Sequence, residues 1–257
     1  MRSAISRLLL AATVATPLLG LGACATRPPA SDQAAVQEFN ENNDPLEPAN
    51  RVSYAINNGL DTYVLAPVAR GYRYIPALIR NPIHNLLKNL TTPVLFINDV
   101  IQTKPRRAGD TFMRFVINTT AGVGGLFDVA TEWGYPSHST DFGVTMALWG
   151  VPDGPFLFLP VLGPSNPRDA TGYGVDVLFD PLTWAPTGHG LVTANYARFG
   201  VSVIDTRERL LDQIDSIKKT ALDPYATFRS LYRQNRASQI DATRTDDKAT
   251  VPNWYSN

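Results

Sequence analysis

Apolar residues recur at steps of three and four positions through most of the chain, which is the period of an amphipathic helix. The first such stripe consists of Leu46, Ala49, Val52, Ile56, Leu60 and Tyr63. Further stripes lie within residues 79–90, 108–119, 203–217 and 225–232. No clear run alternates apolar and polar residues at period two for long enough to build a sheet. The pattern predicts a mainly α fold of amphipathic helices that are broken by prolines such as Pro76, Pro93 and Pro105.

Three Asp-Pro pairs, at positions 44–45, 180–181 and 223–224, share the chemistry of a helix start. In Asp44-Pro45-Leu46-Glu47, we expect Asp44 to be the N-cap, Pro45 the first helical residue and Glu47 a further partner for the free amides of the first turn. Asp223-Pro224 has the same chemistry near the other end of the chain. The folded body is therefore expected to begin at Asp44, and a late helix at Asp223-Pro224.

The N-terminal residues resemble the signal of a bacterial lipoprotein. Arg2 and Arg7 precede the apolar stretch Leu8–Ala23, whose 16 residues suit a signal peptide better than a span of about 20. Leu21-Gly22-Ala23-Cys24 resembles the lipobox, in which the cysteine becomes the acylated N-terminus, and Cys24 is the only cysteine of the chain. The alternative is an ordinary secretory signal with an incidental cysteine. Ala25, rather than Asp, favours the outer membrane by resemblance to lipoproteins that leave the inner membrane.

These boundaries predict four parts. We expect a lipoprotein signal peptide at residues 1–23, a lipidated flexible tether at 24–43, a helical domain at 44–240 and a polar C-terminal tail at 241–257.

The middle of the chain departs from the helical pattern. Gly143–Gly174 contains eleven glycines and prolines in thirty-two positions, so we expect neither a long helix nor a long strand there. Within it lies the apolar run Phe156–Leu162, which either packs against the core as a loop or contacts lipid acyl chains. Gly150 and Gly154 are candidate hinges of this loop. The lipid-path candidates are Phe156, Leu157, Phe158, Leu159, Val161 and Leu162, with Phe156 and Phe158 as the expected acyl contacts.

Charge and composition exclude several functions. Charged residues make up 18% of the chain, with 23 basic residues balancing 23 acidic ones, so no basic groove for nucleic acid is expected. Three histidines and one cysteine are too few for a local metal motif, and we expect no metal and no cofactor. The basic group Lys104-Pro105-Arg106-Arg107 is either a solvated helix start or a contact with lipid phosphates.

Motifs of hydrolytic enzymes are missing from the sequence. It contains neither Gly-x-Ser-x-Gly nor His-Glu-x-x-His, and Ser137-His138-Ser139-Thr140-Asp141 is interpreted as a local polar turn. Because triads are assembled from distant segments, a lipid hydrolase that uses His84, His138 or His189 stays an alternative.

The collinear order of short motifs from Asp44 onward resembles the MlaA (VacJ) family of outer-membrane lipoproteins. The family-motif residues that we single out are Asp44, Pro45, Leu46, Glu47, Asn50, Arg51 and Asn118. Further motifs that match in order are Arg80-Asn81, Arg114-Phe115, Gly122-Val123-Gly124-Gly125-Leu126-Phe127-Asp128, Asp141-Phe142-Gly143, Trp149-Gly150-Val151, Leu159-Pro160, Arg168-Asp169 and Asp223-Pro224-Tyr225. The likeness runs from Cys24 to about Arg236. Pro152 departs from it, because glycine is expected there in relatives.

The resemblance implies a ring of helices embedded in the inner leaflet of the outer membrane, around a central amphipathic channel. It implies that the protein is not an enzyme: it would remove mislocalised phospholipid from the outer leaflet and pass it to a soluble MlaC-like carrier in the periplasm. Expected partners are phospholipid, the outer membrane, a trimeric porin and this carrier. A periplasm-facing lipolytic enzyme and a structural lipoprotein that braces porins are the alternatives.

Overall fold

The computed structural model describes residues 43–184 and 189–246, together with positions 29, 31–33 and 36. Helices account for most of the described chain, so the predicted mainly α class is confirmed. The helices are α1 (Glu47–Leu60), α2 (Ala66–Arg73), α3 (Ala77–Ile101), α4 (Pro105–Thr120), α5 (Val129–Glu132), α6 (Phe142–Leu148), α7 (Pro167–Phe179), α8 (His189–Arg209), α9 (Leu211–Thr220) and α10 (Pro224–Thr245). A π-helical stretch, Asp61–Leu65, joins α1 to α2, and a short 3₁₀ helix, Pro181–Thr183, follows α7.

The start of α1 differs from the expectation. The helix begins at Glu47 after Leu46, whose side chain makes no capping hydrogen bond, and Pro48 lies in its first turn. Asp44 is therefore not the N-cap, and Pro45 is not the first helical residue. Their local spacing suits a cap, but the Asp44 carboxylate binds distant side chains instead. By contrast, Asp223 does cap α10, since its carboxylate accepts a hydrogen bond from the Ala226 amide.

The glycine-rich middle of the chain forms a small hairpin followed by a full helix. Strands β1 (Leu157–Leu159) and β2 (Gly163–Ser165) pair antiparallel, with Phe158 opposite Pro164. The 13-residue helix α7 then runs through Gly172, so the expectation that no long helix forms in this segment is wrong. A Cβ atom at Gly172 would lie 2.4 Å from the backbone nitrogen of Gly143 in α6. This glycine permits two helices to pack backbone to backbone.

The predicted apolar stripe of α1 faces outward. Ile56 is 56% exposed and Tyr63, at the π-helical stretch, is 83% exposed, whereas Asn50 on the other side of α1 is buried. Exposed apolar side chains also occur on α3 (Leu78, Ile79, Val100), α4 (Phe112, Val116), α7 (Tyr173, Val177, Leu178) and α8 (Tyr196, Phe199, Val201).

The buried residues show the reverse pattern. Among the described residues, 21 buried side chains are polar or charged and 11 are hydrophobic. A search of the described helices finds none that is long and apolar enough to cross a membrane.

The C-terminal helix extends beyond the expected end of the domain. Helix α10 continues through Thr245, so the first residues of the expected tail are helical. Arg106 pairs with Asp246, and Arg107 Nη1 lies 3.2 Å from the same carboxylate. Lys104 Nζ donates to the carbonyl of Arg244 over 3.0 Å. The basic group at the start of α4 therefore holds the end of α10; it is not simply solvated, and Arg107 is buried. Residues 247–257 lie outside the described part of the chain.

Candidate functional site

The side chain of Asn50 joins α1 to the hairpin. Its Nδ2 donates to the carbonyl of Phe156 over 2.9 Å, and its Oδ1 accepts from the amide of Phe158 over 2.8 Å. One amide group thus satisfies both the donor and the acceptor of a buried strand backbone, as a neighbouring strand would.

Asn57 repeats this contact two helical turns later. Its Nδ2 donates to the carbonyl of Leu159 over 2.8 Å, and its Oδ1 accepts from the amide of Val161 over 2.6 Å. The two asparagines are seven residues apart and therefore lie on one face of α1. The sequence pattern does not single out Asn57 as a site residue; its seven-residue spacing from Asn50 is the available signal.

Asp44 lies at the centre of a buried polar cluster. Its carboxylate accepts from Asn50 Nδ2 over 2.8 Å, from Arg229 Nη1 over 2.7 Å and from the hydroxyl of Tyr225. Burial and the neighbouring carboxylate of Asp44 raise the pKa of the Tyr225 hydroxyl, so it stays protonated and donates. These contacts join the turn before α1 to α10, more than 180 residues later.

Arg51 adds a second tie between the same two helices. It pairs with Asp223 over 2.6 Å and with Glu47 over 2.7 Å, and its guanidinium carbon lies 4.5 Å from the ring centre of Tyr225. Family-motif residues Asp44, Glu47, Asn50 and Arg51 therefore share one junction, with Pro45 and Leu46 in the turn that precedes α1.

The apolar run divides between this junction and the surface. Phe156 is 2% exposed and Phe158 6% exposed, and both pack with Tyr225 in an aromatic cluster that Tyr54, Phe228 and Tyr232 border. The prediction that Phe156 and Phe158 contact acyl chains is wrong in this conformation, because protein side chains cover both rings. Leu157 and Leu159 are half-buried, whereas Val161 is 68% exposed and Leu162 is also exposed.

The candidate hinge glycines flank a loop that is held near both ends, since Arg168 Nη1 also donates to the carbonyl of Val151 over 3.3 Å. Gly150 and Gly154 have φ values of +87° and +73°, a region that residues with a Cβ rarely adopt. Asn43 Nδ2 donates to the carbonyl of Gly154 over 2.6 Å, and the amide of Phe156 donates to the carbonyl of Asn43 over 2.7 Å. The conformation explains why glycine stands at both positions; the hinge role stays a prediction.

Asn118 lies away from the junction, on α4. Its Nδ2 donates to Asp128 over 3.0 Å and its Oδ1 accepts from the amide of Ala130 over 2.9 Å. Arg114 binds both oxygens of Asp128, at 2.8 and 2.9 Å. Burial raises the pKa of the Asp128 carboxyl, but hydrogen bonds from Thr131, Asn118 and Arg114 outweigh it, and the pKa falls below its usual value. The Arg114–Asp128 ion pair and the hydrogen bonds of Asn118 hold the segment that follows α4 in place.

This segment, α3 and α4 enclose a cavity of about 190 Å³. Its walls include Asn118, Arg114, Asp128 and His138. Every lining residue except Leu95 has a polar side chain, and carbon atoms of these side chains provide most of the lining surface. The cavity is distinct from the aromatic cluster at the hairpin.

The histidines do not form a catalytic relay in the described chain. His138 Nε2 lies 2.9 Å from Asp99 Oδ2 and 3.3 Å from Thr111 Oγ1, so one ring nitrogen faces both groups. A hydroxyl nucleophile and an orienting carboxylate need opposite ring nitrogens. His84 Nδ1 lies 2.6 Å from Asp205.

Other predicted site residues fall outside what the structure describes. Cys24 and the side chain of His189 are among them. Within the described residues, no group of three or more His, Cys, Asp or Glu side chains is placed to hold a metal ion.

Comparison with known proteins gives a consistent result. A family model described as MlaA lipoprotein matches residues 42–239. The chain is 34% identical over 221 residues to the intermembrane phospholipid transport system lipoprotein MlaA of Haemophilus influenzae, covering 84% of this chain and 87% of the relative. It is 35% identical over 196 residues to the Escherichia coli K12 protein of the same name, covering 74% and 76%.

A solved structure is similar as well. It is described as "Structural basis for maintenance of bacterial outer membrane lipid asymmetry" and superimposes with a TM-score of 0.67 at 34% sequence identity. The match covers 77% of this chain and 98% of the solved chain.

Proposed function

Because the chain belongs to the MlaA lipoprotein family, we propose that it acts in intermembrane phospholipid transport. In this proposal it removes mislocalised phospholipid from the outer leaflet of the outer membrane and passes it to a soluble periplasmic carrier, which maintains lipid asymmetry. It moves lipid without a covalent step.

The distribution of apolar side chains carries this proposal. Soluble monomers rarely expose large contiguous apolar surfaces, and such surfaces mark contacts with protein or membrane. Here the helices present apolar side chains outward, and buried polar residues outnumber buried hydrophobic ones. In lipid, an outward apolar side chain needs no cover, while inward polar groups satisfy one another. This arrangement supports a position within one leaflet.

We further propose that Cys24 is the acylated first residue of the mature protein, after removal of residues 1–23. Acyl chains contribute about 0.8 kcal/mol for each buried CH₂ group, so several chains hold a protein on a bilayer. Residues 24–43 would connect the anchor to the helical domain, on the periplasmic side of the outer membrane. The helices would form a ring in the inner leaflet around an amphipathic channel.

The exposed end of the hairpin is the part of the apolar run that we propose contacts acyl chains. Val161 and Leu162 lie at its turn and are exposed, and Leu157 and Leu159 are partly accessible beside them. Gly150 and Gly154 would permit the preceding loop to move. A trimeric porin beside the ring and an MlaC-like carrier are the proposed protein partners.

Deletion of the gene tests the transport function. We expect phospholipid to accumulate in the outer leaflet under mild chelation stress, because no protein returns it, and we expect complementation to reverse this. Labelling of outer-leaflet phospholipid in intact cells is the measurement. An unchanged outer leaflet in the deletion strain would contradict transport.

Purified protein separates the alternatives. Co-purified phospholipid without hydrolysis products supports transfer, whereas free fatty acid that rises with protein concentration identifies a lipolytic enzyme. Neither lipid nor fatty acid, together with retained porin, identifies a structural brace.

A further inference from the structure

The cavity between α3 and α4 has the size of a lipid headgroup rather than of a whole lipid. Its volume of about 190 Å³ is many times the ~10–15 Å³ that a cavity needs to hold one water molecule. Sites that enclose whole drug-sized ligands are larger, at roughly 300–1,000 Å³. The cavity accommodates a small polar group with a few attached carbons, and acyl chains would have to lie outside it.

Most charged groups in the wall are already paired within the chain. Arg114 binds Asp128, and His138 contacts Asp99, a buried residue that lies behind the wall. Lys88 is the exception: it lines the cavity and is exposed, and no ion pair or hydrogen bond to its ammonium group occurs within residues 43–184 and 189–246. The lining therefore carries one positive charge more than negative ones, with histidine neutral.

Two hydroxyls in the wall are also free to donate. Ser137 and Ser139 line the cavity and are exposed, and in the described chain neither hydroxyl makes a hydrogen bond. An unpaired ammonium and two unpaired hydroxyls around one small space are donors for the oxygens of an anion.

An aromatic pair lies one residue along α3 and α4 from two of the lining residues. Leu95 and Thr111 line the cavity, and the residues that follow them, Phe96 and Phe112, have rings 5.9 Å apart. Phe112 is about half exposed. Phe112 therefore offers an exposed apolar contact on α4, the helix that also lines the cavity, as a molecule with an anionic head and apolar chains requires.

We propose that this cavity binds the phosphate group of a phospholipid headgroup, with Lys88 as the charged contact and Ser137 and Ser139 as hydrogen-bond donors. The proposal rests on the transport function and assigns it a binding site. It is separate from the hairpin, which we associate with acyl chains.

A matched pair of lysine variants tests the assignment. The full-length protein in an uncharged detergent is titrated calorimetrically with glycerophosphoglycerol, the deacylated form of a lipid headgroup, and separately with inorganic phosphate. Lys88→Gln is compared with Lys219→Gln, which removes the same charge from an exposed lysine of α9 that also lacks a partner in the described chain. We expect Lys88→Gln to weaken glycerophosphoglycerol binding about tenfold, because a charge-assisted contact is lost, and Lys219→Gln to leave it unchanged.

Several results would overturn the site. Wild-type protein that does not bind glycerophosphoglycerol, equal affinity in Lys88→Gln and wild type, or equal weakening by the two variants would each do so. Tighter binding of inorganic phosphate than of glycerophosphoglycerol would assign the cavity to a free ion and would overturn its assignment to a lipid headgroup.

Complementation distinguishes failure of the site from failure of the function. Suppose that deletion raises outer-leaflet phospholipid and that Lys88→Gln returns it to the normal level as fully as Lys219→Gln does. The cavity assignment is then wrong, and the transport function stands. If deletion changes nothing, the transport function itself fails. Partial restoration by Lys88→Gln at normal abundance, with full restoration by Lys219→Gln, supports the site.

Discussion

Asn50 is a buried polar residue whose side chain makes hydrogen bonds to three groups. Its amide meets the carbonyl of Phe156, the amide of Phe158 and the carboxylate of Asp44, and Asn50 is only 4% exposed. A buried polar group without a partner costs about 1–3 kcal/mol, so each of these contacts constrains the residue type.

We therefore predict that Asn50→Asp destabilises the protein by about 2–4 kcal/mol. The substitution removes the donor to the Phe156 carbonyl and places a second carboxylate beside Asp44. Thermal unfolding in detergent, followed by circular dichroism, measures the change. Asn58→Asp on the same helix is the control, because in the described chain the Asn58 side chain makes no hydrogen bond. Equal loss of stability in both variants would contradict the role of Asn50.

The sequence could identify several of these residues but not their contacts. Asp44 matches an N-cap by its spacing, yet its actual partners, Tyr225 and Arg229, lie more than 180 positions away, beyond the reach of a local rule. Phe156 and Phe158 had to meet an apolar partner, but the sequence does not distinguish protein side chains from acyl chains. The structure covers both rings with protein.

At the scale of elements, the hairpin depends on its neighbours. A two-stranded hairpin alone is marginally stable at best. Here α1 supplies two asparagine amides along β1 and its end, while Asn43 fixes the backbone on either side of Pro155. The loop from Gly150 to Gly154 is thus pinned at its second end.

Glycine substitutions test whether the loop conformation is required. We predict that Gly154→Ala costs about 1–2 kcal/mol of stability, because φ is +73° and the new Cβ would lie 3.2 Å from Pro167 Cγ. Gly150→Ala meets no atom within 4 Å, so only the strain of its φ applies. Gly59→Ala, within α1 and equally open, is expected to stabilise the protein by up to about 1 kcal/mol. Chemical denaturation measures all three. If Gly154→Ala leaves the stability unchanged, the loop adapts freely, and the hydrogen bond from Asn43 to Gly154 does not require this conformation.

The hydrophobic period of the sequence predicts where the helices lie better than it predicts where they end. The stripe from Leu46 to Tyr63 does form one helical path, but it includes the π-helical stretch Asp61–Leu65. There the Asp61 carboxylate lies 2.5 Å from Arg207 and 2.6 Å from Lys218. These partners come from α8 and its neighbour α9, so the local change in helix type has no signal in the stripe itself. Likewise, Gly172 lies within α7 without breaking it. The close approach of the Gly143 backbone requires a residue without a Cβ atom at this position.

At the scale of the whole molecule, the sequence does not decide which face of each helix points inward. A core and a membrane are both apolar, so an amphipathic stripe predicts a helix without saying which side is inside. The structure turns Ile56, Phe112 and Phe199 outward and encloses polar groups such as Asn98 and Asp99. The low charged fraction, 18%, is consistent with this arrangement.

Outward apolar residues lead to a prediction about membrane affinity without the anchor. Protein lacking residues 1–24 should still bind vesicles of phosphatidylethanolamine and phosphatidylglycerol, because its helices bury apolar side chains in lipid. Burial of one isoleucine contributes about 1.5–3 kcal/mol, so we expect Ile56→Asp to lower the partition coefficient at least tenfold. Gln213→Asp, which introduces the same charge at an exposed polar position of α9, should have a much smaller effect. Vesicle flotation measures both, and circular dichroism in detergent checks that the fold is retained. If Ile56→Asp floats with vesicles as fully as the parent protein, this face of α1 does not lie in lipid and its exposure must be explained by a protein partner.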